Sequence, residues 1–535
     1  MNKRTFLRGA VILGIAGLIV QVLGAVFRIP LANIIGDDGM GYYQTVYPIY
    51  VFLLVFSTNG APAAISKMTS ERLAAGRADE AHRVFKLSFI VMLVFGAVCS
   101  SVVFFCAGKI IEIMDVHENS YYAMIAISPA LLLIPVMAVY RGYFQGMQEM
   151  GPTAASQLTE QAVRVATGLG LSIILLEKGI EYAAAGATLG TAIGPVAGIL
   201  VIVIIYYVKR GGIFEVIKRD KVESERERAG GILKTLALIA VPVTIGVSIY
   251  PVMNLADAIL VIRRLKFIGL DGDTANALYG QLTGFAGPII NIPMALALSM
   301  ALSMVPAIAS AKTTGDTEFL NVNVKLGLRT SMIVGAPCSF GLIVLAGPIM
   351  NLLYPLQEES ALNAANSLIV LSSGIIFLCV AQTMAGVLQG LGRIGIAVLS
   401  LTAGFIVKCV ATYYLTAYSN LNIAGAATGS VLGFITIAAI SFTAVRSLTK
   451  VRFNYVSDVV KPLAAGLIMG VIVLAAFRGL TFIISSRLAT AISVCVGAAV
   501  YVIMLLKTKA IIESEIVMLP KGAKLAALLK KVKLL

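Results

Sequence analysis

The sequence predicts an all-α, polytopic membrane protein of about fourteen transmembrane helices, and three observations carry that prediction. The chain is 59% hydrophobic and only 13% charged, with a mean hydropathy of +0.92, against about 25% charged residues in soluble domains. Apolar stretches of about 20 residues, each long enough to cross the hydrocarbon core as a helix, recur from end to end. The longest hydrophilic stretch, 209–231, is too short to fold as a soluble domain, which excludes an appended catalytic domain.

Taken in order, the spans fall near 9–31, 42–66, 84–108, 121–145, 153–176, 182–208, 234–262, 279–311, 326–354, 363–391, 394–417, 422–445, 459–477 and 484–506. The first ends in FRIP, which puts Arg28 near the outer boundary, either as a snorkelling anchor or as a cation at the mouth of a cavity. GDDGMG (36–41) reads as a turn. Tyr43, Tyr47 and Tyr50 form an i, i+4, i+7 stripe, better explained by an interfacial belt or helix packing than by a sugar platform. Prolines inside 42–66 and 279–311 predict kinks or breaks, which a membrane helix tolerates only where protein or a cavity re-satisfies its backbone. Loop 67–86 reads as a short amphipathic surface segment.

His82 and His117, the only histidines, fall outside the spans, so no histidine-based acid/base or metal site is expected within the membrane. The six cysteines lie in apolar spans with no CxxC and read as small core residues. No cofactor is called for.

Orientation follows from lysine and arginine. With the N-terminus cytoplasmic, inside segments carry 32 of the 42 and outside segments 8, the remaining two being Arg164 and Lys408 within spans. Both termini are therefore expected in the cytoplasm, and the start of the chain reads as an uncleaved anchor. The net charge of +15 reflects the cytoplasmic-leaflet bias of a many-span protein, not nucleic-acid binding. The tail 519–535 is expected to lie in the interface as an amphipathic helix.

The polar exception is Tyr140–Gly168, the end of one apolar helix, a tight turn and the start of another. On a helical wheel Thr153, Gln157, Glu160, Gln161, Arg164 and Gly168 share one face. Glu160 and Arg164 stand at i, i+4, a spacing that permits a direct ion pair. The two glutamines on that face give more polarity than one pair needs and favour a cavity lining, because an intramembrane charge needs a protein partner or water. Asn254 and Asp257 share a face with Tyr250, as either a coupling-cation ligand set or a hydrogen-bonded packing cluster.

The polar stretch has an echo. Residues 385–415 align with 141–171 at an offset of 244, pairing Gly142 with Gly386, Gln145 with Gln389, Gly146 with Gly390 and Arg164 with Lys408. The chain reads as two halves of six spans in the same orientation, the parallel-repeat plan of alternating-access transporters. The expected organisation is an N-terminal lobe at 1–208, a cytoplasmic linker at 209–231, a C-terminal lobe at 232–448, two further spans at 449–507 and a cytoplasmic tail at 508–535.

VLGAVFRIPLANIIGDDGMGYYQ, NGAPAAISK, RGYFQG and SQLTEQAVR together resemble the branch of the multidrug/oligosaccharidyl-lipid/polysaccharide exporter superfamily that holds the stage V sporulation protein B group, related to the MurJ lipid II flippases. RGYFQG followed about ten residues later by SQxxEQxxR is the more specific part. The resemblance implies two six-helix lobes in a V around a central cavity, with two further helices. It also implies an undecaprenyl-diphosphate-linked sugar of cell-wall synthesis as substrate, in the cytoplasmic membrane of a bacterium. Gln21 and Asn33 stand where that pattern carries arginine, leaving Arg28 as the one cation of the first span.

The expected function is translocation of such a lipid-linked sugar by a monomer, with Arg164, Glu160, Gln157, Gln161, Lys408, Arg28, Asn254 and Asp257 lining the cavity. Buried cations suit a diphosphate. An ion-coupled multidrug exporter is the alternative, and it calls for buried acids, of which Glu160 and Asp257 are the candidates. A membrane-embedded glycosyl- or phosphotransferase is disfavoured, since no acidic motif stands in a cytoplasmic loop.

Overall fold

A computed structural model describes residues 3–219 and 227–510. Their chain is helical: α1 (Lys3–Val55), α2 (Ala61–Ala74), α3 (Ala78–Phe105), α4 (Ala107–Met114), α5 (Ser120–Gly146), α6 (Met150–Leu176), α7 (Ile180–Arg219), α8 (Ala229–Phe267), α9 (Gly272–Gly280), α10 (Gly287–Thr314), α11 (Thr317–Leu353), α12 (Glu358–Ser373), α13 (Ile375–Gly390), α14 (Ile394–Leu415), α15 (Ile423–Thr449), α16 (Lys461–Thr481) and α17 (Ser486–Lys507). The amphipathic tail expected at 519–535 lies outside the described residues.

Among those residues twelve helices are long and apolar enough to cross a membrane, thirteen with α12 and α13 taken as one span bent by 45°. One of the twelve, Ile12–Ala74, is 63 residues long, roughly 95 Å if straight and about three times the hydrocarbon thickness. It does not run straight. Gly36 adopts φ 66°, ψ −170°, a conformation that a Cβ would strain. Beyond it the chain doubles back, bringing the rings of Phe27 and Tyr43 to 6.4 Å. Counted as two crossings, α1 with α2 brings the number to the fourteen read from the sequence.

The breaks expected in 42–66 and 279–311 occur before Pro62 and Pro288, and a third, not expected, precedes Pro462. Wide π-helical turns occupy Phe56–Gly60, Gln281–Ala286 and Val456–Val460, and each ends two residues before a proline: Pro62, Pro288 and Pro462. A proline has no N–H to donate and crowds the preceding turn, which widens to relieve the clash.

The helices divide into two compact units, 1–266 with 270–280, and 267–269 with 281–535. That boundary is later than the one drawn at 209–231, because α8 packs with the first unit. Its Ile232, Leu236 and Ala240 enter a core with Ala61, Ile65, Phe85, Tyr143 and Tyr206. Its C-terminal end is tied by Lys266 Nζ donating to Asp115 at 2.9 Å and by Arg263 donating to the Ile113 carbonyl. At the other end Glu227 is held by Arg72, while Arg83 donates to the Glu227 carbonyl at 2.6 Å. Loop 67–86 is accordingly no surface segment: it is a helical hairpin that buries Arg72 and Glu80, at 7% and 2% exposure.

In the first unit α9 docks on the turn at 36–41. Asn276 Nδ2 donates to the Asp38 carbonyl at 2.9 Å, and a Cβ at Gly41 would lie 2.5 Å from Asn276. In the second unit, α16 and α17 pack on α11 through Leu345, Ala465, Met469, Val473 and Tyr501. The Tyr501 hydroxyl there donates to the Ile333 carbonyl at 2.9 Å.

Candidate functional site

The polar helix α6 is placed by α7. Gly186, Gly190, Gly194 and Gly198 recur every fourth residue of α7, where an added Cβ would meet the α6 backbone or side chains at Leu171, Gly168, Arg164 and Glu160 respectively. Backbones that close leave α6 no rotational freedom. Glu160 and Arg164 thus sit at the edge of the α7 contact, and their side chains reach on to α5 and α1 respectively. Arg164 is the fifteenth of the 27 residues in α6, so it lies near the middle of that span.

Arg164 meets the tyrosine stripe. Its Nη2 donates to the Tyr43 hydroxyl at 3.4 Å, and its guanidinium carbon stands 5.5 Å from the centroid of the Tyr47 ring. Arg28, on the first limb of α1, also stands 5.5 Å from that centroid. Tyr47 lies 5.6 Å from both Tyr43 and Tyr50, ring to ring. Two guanidiniums thus share one aromatic ring within the first unit. Among the described residues neither has a carboxylate partner, and the buried Nε of Arg164 has no hydrogen-bond acceptor.

Glu160 does not neutralise Arg164. It pairs with Arg141 of α5, whose Nη2 lies 2.7 Å from the Glu160 carboxylate and 2.9 Å from Ser156 Oγ. Ser156 in turn donates to the Gly198 carbonyl at 3.1 Å. The i, i+4 pairing that the sequence permits is replaced because the neighbouring helix presents a better-placed cation.

The other candidates separate. Gln161 is buried at 8% and lies against Gly24 of α1, where an added Cβ would be 3.6 Å from its Nε2. Gln157 is half-buried on the same helix. Asn254 and Asp257 are half-buried on α8, Asp257 within electrostatic reach of Tyr279 in α9. Lys408 is buried in α14 of the second unit against Gly433 of α15, where an added Cβ would be 3.1 Å from its own Cβ.

Two participants are not among the residues expected to line the site: Arg141, and Tyr47 of the stripe expected to serve as an interfacial belt or in helix packing. The signal for the first was available: RGYFQG supplies Arg141 and the following SQxxEQ supplies Ser156 and Glu160, so the two motif pieces bond to each other.

A family model described as polysaccharide biosynthesis protein matches residues 6–312, more than half of the chain. The chain belongs to the polysaccharide biosynthesis protein family. Within it, the chain sits with the sporulation protein B-type branch. It is 28% identical to stage V sporulation protein B of Bacillus subtilis (strain 168) over 521 residues, covering 97% of this chain and 98% of that one. To the lipid II flippase MurJ of the same organism it is 27% identical over 514 residues, covering 92% and 94%. Two solved structures share the fold of this family member. An inward-facing multidrug resistance MATE family transporter of the MOP superfamily gives a TM-score of 0.69 at 16% identity, covering 83% of this chain and 98% of that one. MurJ in an inward closed conformation gives 0.67 at 15% identity, covering 92% and 98%. This member of the polysaccharide biosynthesis protein family is a multi-pass membrane transporter.

Proposed function

We propose that this chain is an alternating-access flippase that carries an undecaprenyl-diphosphate-linked sugar, a lipid II-like wall precursor, across the bacterial cytoplasmic membrane, with both termini in the cytoplasm. The observation that carries this reading is the pair Arg28 and Arg164 around Tyr47 with no carboxylate beside them among the described residues. A cation near the centre of a membrane helix costs about 3 kcal/mol or more, and a cation–π contact returns about 0.5–2 kcal/mol. Two guanidiniums on one ring therefore leave a deficit that an anion would remove. A diphosphate matches it in charge and geometry, since each guanidinium can fork onto phosphate oxygens. The similarity to a relative named as a lipid II flippase supports the same substrate class. Lys408 is a further candidate cation, and Gln157, Gln161, Asn254 and Asp257 are candidate polar lining.

The drug-exporter alternative draws on the MATE-like fold, but it needs an acid available to a cationic drug. Of the two acids that reading calls on, Glu160 is engaged by Arg141, which favours the anionic substrate, and Asp257 remains as its candidate.

Complementation tests the proposal. Expressed in a bacterium depleted of its own lipid II flippase, the chain is expected to restore growth and the appearance of lipid-linked precursor outside. Efflux of a cationic dye without rescue would overturn the reading.

A further inference from the structure

A second basic feature lies far along the chain, in the connection between α15 and α16. Lys450 closes α15 in a left-handed conformation, φ 55°, and turns the chain back across the helix end. In the segment that follows, apolar and cationic residues alternate. Val451 is buried at 3% in the core of the second unit, and Phe453 packs on Phe442 with ring centroids 5.1 Å apart and on Tyr455 at 6.4 Å. These anchors hold Lys450 and Arg452 outward, beside Arg446 on the last turn of α15. The result is a cleft of about 400 Å³ lined by Arg446, Lys450, Val451, Arg452, Phe453 and Tyr455.

The charge in that cleft is one-sided. Among the described residues no carboxylate pairs with Arg446, Lys450 or Arg452. The nearest acid in sequence, Asp458, is buried at 6% and turned inward, accepting from Asn454 N at 3.0 Å and from Ser457 Oγ at 3.0 Å. Three cations around a cleft with a fixed apolar floor differ from solvated surface charges, because the backbone that presents them is anchored by Val451 and Phe453.

We infer that this cleft binds the phosphate of an anionic phospholipid headgroup in the cytoplasmic leaflet. Such basic pockets at the cytoplasmic ends of helices suit anionic lipid headgroups. Phosphate with acyl chains attached is favoured over a free anion by what adjoins the cleft. Tyr455, just before the π-helical turn that precedes α16, and Val456 and Val460 on that turn are 46%, 60% and 53% exposed, an apolar surface continuous with the start of a membrane span. A headgroup in the cleft would lay its chains there. Assignment to the cytoplasmic leaflet rests on the positive-inside orientation; the binding itself does not.

The test uses the purified full chain in dodecyl maltoside and reads lipid adducts by native mass spectrometry. Dioleoylphosphatidylglycerol is expected to bind more tightly than dioleoylphosphatidylcholine. Arg446→Gln with Lys450→Gln and Arg452→Gln should weaken the phosphatidylglycerol adduct about a hundredfold, with phosphatidylcholine binding and melting temperature unchanged. Arg446→Lys with Arg452→Lys should retain it, which separates charge loss from misfolding. Undiminished phosphatidylglycerol binding by the triple variant would overturn the site. Equal occupancy by inorganic phosphate would overturn the lipid as its source. Labelling of Asn454→Cys by an impermeant thiol reagent in intact cells would overturn the cytoplasmic leaflet.

Discussion

Arg72 and Arg164 are residues of the same type in the same unit, and they are compensated in opposite ways. Arg72 donates to the Met68 carbonyl at 3.1 Å, pairs with Glu227 and lies 3.8 Å from Glu80, which Arg77 also approaches at 3.3 Å. Every charge there is answered by a charge, and Glu80 further accepts from the Glu227 amide at 3.2 Å. Arg164 has only tyrosines and a second arginine across the same ring; a buried Nε without a hydrogen-bond acceptor is common to both arginines, so it is the absence of a carboxylate among the described residues that sets Arg164 apart. The first site is closed: it ties the start of α8 to the α2–α3 hairpin. The second, on the function proposed above, is completed by an anion. What separates a structural arginine from a binding arginine here is the balance of its neighbours, not its burial.

The largest effect that could break this contrast is on stability at the closed site. Arg72→Ala strands Glu227 and leaves the buried Glu80 with Arg77 alone, and is expected to cost about 3 kcal/mol, as removal of one partner from a buried pair does. It is read as a fall in melting temperature in detergent. A variant as stable as the parent would mean the network is idle.

Arg164→Ala sharpens the contrast from the other side. Because no carboxylate depends on it, the protein should fold and express as the parent does, while transport falls by about 2–3 kcal/mol of lost substrate interaction, or about a hundredfold. Arg164→Lys keeps the charge without the fork and should recover part of the activity. Melting behaviour and transport measured on the same preparations decide it. Collapse of the fold with Arg164→Ala, or full transport without the guanidinium, would move Arg164 into the class of Arg72.

The smallest effect belongs to the shared ring. Tyr47→Phe keeps the π face and should change little, whereas Tyr47→Leu removes it from both guanidiniums at a cost of about 0.5–2 kcal/mol. Comparison of transport by the two variants isolates the ring face from the hydroxyl. Equal loss in both would assign the role to the hydroxyl instead.

Much of this protein is legible from composition and spacing, because hydropathy and charge bias are local properties of the chain. The membrane class, the position of nearly every span, the breaks before Pro62 and Pro288 and the presence of Arg164 and Lys408 inside spans follow from residues read in order. Partners are not local. The i, i+4 rule allows Glu160 to meet Arg164, but it is the packing of α5 beside α6 that brings Arg141 to 2.7 Å and takes the carboxylate away. The turn at Gly36 brings Arg28 and Tyr47, nineteen positions apart in sequence, to 5.5 Å, where one unbroken helix would hold them roughly 28 Å apart. Arg72 and Glu80 look like surface charges in a polar loop until Glu227, just before α8, meets them. The sequence by itself determined which charges enter the membrane-embedded protein; only the tertiary structure decided which of them are answered, since compensation depends on which helices lie side by side.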